Sequence, residues 1–104
     1  MDQSLFVKYL GDSPFVRVLD FFLENDAWDY SVQDISDSTG VARNTTGKIL
    51  ERMVKLKMVV QTRTVGRAVM FKINTSNPAI KKMVSFDREL TLSAIPQKAK
   101  ELAR

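Results

Sequence analysis

The chain has 104 residues, a net charge of +4, and a composition 44% hydrophobic and 27% charged, ordinary values for one globular domain with a modest core. It contains neither cysteine nor histidine, which excludes disulfides, iron–sulfur clusters, ordinary zinc sites and Ser-His or Cys-His catalytic pairs, so neither an enzyme activity nor a cofactor is expected. No apolar run is long enough for a membrane span and no signal-peptide pattern opens the chain, so a cytoplasmic location is expected.

Charge is distributed in blocks. Residues 1–42 hold only Lys8 and Arg17 against eight carboxylates, whereas residues 43–72 hold eight basic side chains against Glu51 alone. A positive block of that density is the electrostatic footprint of a polyanion binder, the plainer alternative being a solvated face. Six acidic residues, Asp12, Asp20, Asp26, Asp29, Asp34 and Asp37, match no metal-loop spacing such as the EF-hand and read as helix caps and solvated turns.

In chain order, Leu5, Phe6, Val7, Tyr9 and Leu10 form an apolar segment whose period does not decide between helix and strand; it either packs on the domain or joins a dimer surface. Ser13 and Pro14 then suit the N-cap and first position of a helix reaching about Glu24, with Phe15, Val18, Leu19, Phe22 and Leu23 on one stripe and Phe21 beside it. Asn25–Asp29 is a polar turn around Trp28. Trp28 and Tyr30 are expected to pack on one face of a very short strand.

Ser31, with Asp34 three residues on, signals a capping box opening a helix from Val32 to about Thr39. Gly40 supplies a turn, Val41 plugs the angle, and a second helix runs from about Ala42 to Lys57. Thr46, Ile49, Leu50, Met53 and Val54 make its core stripe. The opposite face collects Asn44, Lys48, Glu51, Arg52 and Lys55, with Arg43 and Thr45 at the helix start, a face rich in donors for phosphates and base edges in a major groove.

After Met58 the pattern becomes extended. VVQTRTV and VMFKIN flank a glycine turn, a hairpin over about 59–73 with Val69, Phe71 and Ile73 on the inward face. Arg63 and Arg67 flank the turn, placed either to reach phosphates or a minor groove or to protect an edge strand by charge. Asn77 and Pro78 open a last helix to about Ser93. Its seam of Ala79, Met83, Phe86 and Leu90 is expected to form a dimer contact, with Ile80 and Val84 as a second patch.

This order of elements resembles the winged helix-turn-helix family. More narrowly, GVARNTTGKILERMVKLKMV, TRTVGRAVMFKIN and NPAIKKM resemble the small winged-helix transcriptional regulators common in archaea, over roughly Ser13 to Leu90. The resemblance implies an α+β, mainly α fold: a three-helix core, a hairpin wing and an added C-terminal helix. It also implies double-stranded DNA as partner, with Arg43, Asn44, Thr45 and Lys48 in the major groove, Arg63 and Arg67 on the wing, and Ser31 and Gln33 holding a phosphate at a helix N-terminus. Three residues depart from the pattern: Ala42 where a capping Ser is common, Gly47 inside the recognition helix, where it admits close backbone approach to DNA, and Lys57 where Gly is common.

The expected organisation is a single domain over residues 1–94, with a core at 12–74 and a C-terminal helix at 76–94, then a polar tail at 95–104. A homodimeric DNA-binding transcriptional regulator is the leading expectation. A winged-helix protein–protein interaction module is the alternative, because fold does not fix function.

Overall fold

The computed structural model describes residues 3–93; the tail at 95–104 lies outside the described residues. Five helices and three strands follow in the order α1 (Leu5–Leu10), α2 (Pro14–Glu24), β1 (Tyr30–Ser31), α3 (Val32–Thr39), α4 (Arg43–Lys55), β2 (Val59–Val65), β3 (Ala68–Ile73) and α5 (Pro78–Ser93). The sheet is antiparallel with order β1-β3-β2. This is the α+β, mainly helical winged helix-turn-helix architecture.

Local signals set the helix starts. Ser13 Oγ accepts from Val16 N–H and Pro14 sits where its missing N–H costs nothing. Ser31 and Asp34 close a reciprocal capping box, and Gly40 ends α3 in the left-handed region at φ 73°. The undecided N-terminal segment is a helix: Ser4 Oγ caps it by accepting from Val7 N–H, and Phe6 and Val7 are buried in the domain.

The core lies where α2, α3, α4 and the sheet converge. Val18, Phe22, Ile35, Leu50 and Met53 are essentially inaccessible, with Ile73 from β3 and Ile80 from α5 closing the sides. Thr46, also fully buried, returns its hydroxyl to the carbonyls of Val41 and Ala42, so the one polar group on the α4 core stripe is satisfied by the turn before it.

The C-terminus of α4 differs from its expected limit. The helix stops at Lys55, and Lys57 takes φ 60°, the one non-glycine residue with positive φ among the described residues. Lys57 N–H reaches the Val54 carbonyl and Met58 N–H the Met53 carbonyl, the paired bonds of a Schellman ending. The Lys57 carbonyl then accepts from the side-chain amides of both Asn74 and Asn77, tying the ends of α4, the hairpin and the start of α5 together.

Three packing expectations are corrected. Trp28 is 71% exposed, because β1 begins only at Tyr30 and no sheet extends over the preceding turn. Tyr30 does pack, edge-on to Phe21 with ring centroids 4.8 Å apart. Val69 is 38% exposed although Phe71 and Ile73 on the same strand face are buried: β1 pairs only with Phe71 and Met70, and the hairpin projects beyond that point. In α5 the inward face is Ile80, Val84, Asp87 and Leu90, turned toward α1 and α2. Leu90 is therefore part of this chain's own core and not of an exposed seam, whereas Ala79 and Phe86 point outward and Met83 is half-covered.

Candidate nucleic-acid interface

The helix-turn-helix is α3, the Gly40–Val41 turn and α4. Its angle is fixed by Val41, which is buried, and by Ser36, whose hydroxyl donates to the Val41 carbonyl at 2.6 Å. With Thr46, Ile49, Leu50 and Met53 held inward, the 3.6-residue period turns Asn44, Lys48, Glu51 and Lys55 outward. Arg43, Asn44, Thr45 and Lys48 are all exposed, and their side chains make no hydrogen bond or ion pair among the described residues. They form a group of uncommitted donors over the first turns of α4.

No side chain caps that helix start. Ala42 is the N-cap residue and supplies no acceptor, so the opening N–H groups face solvent at the positive end of the helix dipole. Asn44 lies inside the helix and does not take over the cap.

The flanks of α4 differ. On one side Arg52 places its guanidinium carbon 4.8 Å from the centroid of the Phe15 ring on α2, a cation–π contact that orients it along the helix pair. On the other side Gly47 borders a groove of about 240 Å³ with Val32, Glu51, Gln61 and Phe71 on its walls, and nothing lies within 4 Å of where a Cβ would sit.

The two wing arginines are unlike. Arg67 follows Gly66, whose φ of 63° makes the tight turn, and it is exposed with no ion pair among the described residues. Arg63 lies nearer the root and is engaged: Nε and Nη2 donate to the two carboxylate oxygens of Asp29 at 2.9 and 3.2 Å, and Thr62 Oγ1 donates to the same carboxylate at 2.6 Å. The Arg63 hydrogen bonds, then that of Thr62, hold the Asp29 carboxyl below its ordinary value, and Asp29 in turn raises that of Arg63. Arg63 is thus a neutralised clamp between the turn before β1 and the wing, not the free cation its sequence position suggests.

The α3 start also differs from expectation. Ser31 is buried, its Oγ accepts from Asp34 N–H and its own N–H goes to the Asp34 carboxylate. An anion approaching there meets a filled cap and a negative charge. Gln33 remains exposed and donates to Asp37 at 2.7 Å. Sequence reasoning missed two features: the Arg63 partner, and a group of carboxylates between α2 and α5 built from Asp20, Glu24 and Asp87.

The arrangement, a helix-turn-helix followed by an antiparallel hairpin that carries a basic tip, defines the winged helix-turn-helix class of fold. Solved structures share it. A predicted DNA-binding transcriptional regulator from E. coli aligns at 15% identity over 83% of this chain and 85% of its own, with a TM-score of 0.59. The reduced form of MarR from E. coli aligns at 18% identity over 95% and 80%, with a TM-score of 0.58. The adhesin competence repressor AdcR from Streptococcus pyogenes aligns at 13% identity over 95% and 79%, with a TM-score of 0.60. No family model and no curated protein matches the chain in sequence. At these identities the likeness is one of fold. No described helix is long and apolar enough to cross a membrane.

Proposed function

We propose that the chain is a non-enzymatic, cytoplasmic, DNA-binding transcriptional regulator that works as a homodimer, with α4 in the major groove and the wing tip on the adjacent backbone. The observation that carries the reading is the coincidence of Arg43, Asn44, Thr45 and Lys48 on the outward start of α4 with Arg67 at the wing tip, all without a side-chain partner among the described residues and all within the positive block of the sequence. Phosphates approaching the uncapped N–H groups of α4 would complete that helix end, supplying affinity, while Asn44 and Lys48 face outward where base edges would lie. The printed descriptions of the similar structures as transcriptional regulators and a repressor support the same reading, as does the likeness of the α4 and wing segments to archaeal-type regulators.

Dimerisation is assigned to the outer side of α1 and α5. Phe86 is 40% exposed and meets the rings of Phe6 and Tyr9 edge-on at 6.2 and 6.5 Å, and Tyr9 and Leu10 lie exposed beside it. An apolar face of that kind, away from α4, suits a twofold contact that presents two recognition helices to successive half-sites. Leu90 has no part in it.

The test is fluorescence anisotropy with a mixed-sequence duplex at low and moderate salt, for the native chain and an Arg43→Ala, Lys48→Ala double variant. Binding that is steeply salt-dependent and collapses in the variant is expected. A folded native chain with no affinity at low salt would refute the DNA reading in favour of a protein-interaction module.

A further inference from the structure

Asp20 and Glu24 lie one turn apart on α2 and face Asp87 on the inward side of α5. One oxygen from each of the three carboxylates falls within 4.8 Å of the others. Asp87 is only 4% exposed, is directed into this group, and its carboxylate has no hydrogen bond or ion pair among the described residues. Oδ1 of Asp20 is likewise buried without a partner there. Neither nearby arginine pairs directly with the three: Arg17 is bound to Asp12, and Arg88 to Asp26, from where it acts on Asp87 only at longer range. Lys8 borders the cleft between α1 and α5 without an ion pair among the described residues.

Glu24 is exposed and Asp20 half-buried, but holding the buried Asp87 carboxylate against two others is costly, and native proteins resolve such a site with a proton or a cation. Three observations favour the cation. The donors are all oxygen, in a chain with no histidine or cysteine, which selects hard ions over zinc or copper. The arrangement suits an ion of loose geometry: the three oxygens lie within 4.8 Å of one another, and calcium accepts irregular sets of carboxylates and waters where magnesium demands a near-ideal octahedron. A cleft of about 320 Å³ between α1 and α5 opens onto Glu24 and Asp87, giving an entry path and room for completing waters.

We infer that Asp20, Glu24 and Asp87 form a binding site for a hard divalent cation of calcium size, which fastens α5 to α2. The inference is independent of the DNA reading, since its three residues lie on α2 and α5 and none on α4 or the wing. The raised carboxyls are consistent with it: burial, then repulsion from Asp20, raises Asp87 while Arg88 lowers it; burial, then repulsion from Asp20 and Asp87, raises Glu24; and burial raises Asp20 while the Ser4 hydroxyl lowers it.

The test uses the whole chain, freed of metal with a chelator, and follows thermal unfolding while CaCl₂, MnCl₂ or MgCl₂ is added near neutral pH. The expected result is a saturable rise in the midpoint of roughly 5 °C or more with calcium, smaller with magnesium. Asp87→Asn and Asp20→Asn, nearly isosteric and each removing one repelling charge, are expected to fold and to need at least about tenfold more calcium for the same rise. No response of the native chain up to about 10 mM, beyond the weakest class of protein calcium sites, overturns the inference. So does a response that both variants retain, since the ion would then sit on other carboxylates. A midpoint that answers only to pH and to no cation assigns the cluster to protons and overturns it equally.

Discussion

The Asp29–Arg63 clamp turns an ordinary charge substitution into a test with an unusual sign. Asp29→Ala removes the carboxylate that neutralises Arg63, and leaves the wing itself intact, because β2 and β3 remain paired from Val59↔Ile73 to Val65↔Ala68. If the wing lies along DNA, the freed guanidinium gains one phosphate. Each phosphate neutralised on duplex DNA contributes about 0.9 to the slope of log affinity against log salt. Between about 50 and 200 mM, a fourfold change, one contact corresponds to a factor of about 3.5 in affinity. The variant is therefore expected to bind more tightly at low salt, with a slope steeper by about 0.9, whereas Arg63→Ala should alter the slope far less than Arg67→Ala. Fluorescence anisotropy titrations at several salt concentrations measure all three. Asp26→Ala is the control, since it frees Arg88 on α5 and makes the same change in net charge away from α4. Equal slopes for the native chain and Asp29→Ala, or equal gains for Asp29→Ala and Asp26→Ala, would refute the placement of the wing root against DNA.

Three further outcomes follow from the fold. Lys57→Gly relieves a side chain held at φ 60°, a cost of about 1–2 kcal/mol, against a loss of about 0.5–1 kcal/mol for the greater freedom of glycine when unfolded. A net gain of about 0.5–1 kcal/mol in urea unfolding is expected, and a loss would show that Lys57 packing outweighs its strain. Phe86→Asp should convert a dimer to a folded monomer in light scattering, with DNA affinity reduced; an unchanged mass would remove the α1–α5 face from the contact. In chelator-treated protein, the raised carboxyls of Asp20, Glu24 and Asp87 bind protons more tightly folded than unfolded, so stability should rise as pH falls from neutrality toward the ordinary carboxylate range. Asp12 and Asp29 act oppositely, their depressed values losing stability as pH falls through the ordinary carboxylate range and below it. With no histidine to titrate between, Asp87→Asn should flatten the rise, and an equal rise in variant and native chains would remove Asp87 from the effect.

What was legible in the sequence was what neighbouring residues decide. Ser13–Pro14, the Ser31–Asp34 box and Gly40 each act within a turn of themselves, and the stripes of α2 and α4 repeat often enough to fix a buried face. The order of elements then sufficed for the class of fold. The first helix was ambiguous because six residues hold too few repeats to separate two periods. α5 carries two apolar stripes, and only its rotation against α1 and α2 decides that Leu90 is inside and Phe86 outside.

In the candidate interface, the exposure of Arg43, Asn44, Thr45 and Lys48 follows from helical period alone. The status of Arg63 does not, because its partner Asp29 is 34 residues away and charge patterning along the chain cannot pair them. The carboxylate cluster was hidden for the same reason. Asp20 and Glu24 share a helix face by their spacing, but Asp87 joins them only through tertiary packing.

Gly47 bears on how such a protein changes over time. A glycine within a helix gives up about 1 kcal/mol relative to alanine, and the open space around this one means that no neighbour demands its smallness. It borders the outward face of α4 while the side chains that hold the helix in place lie on the other side. An alanine could therefore enter there without disturbing the core, and the helix would become firmer. The outward surface can thus drift under mutation while the scaffold stays fixed, and Gly47 is a position where that surface can be altered without cost to the core.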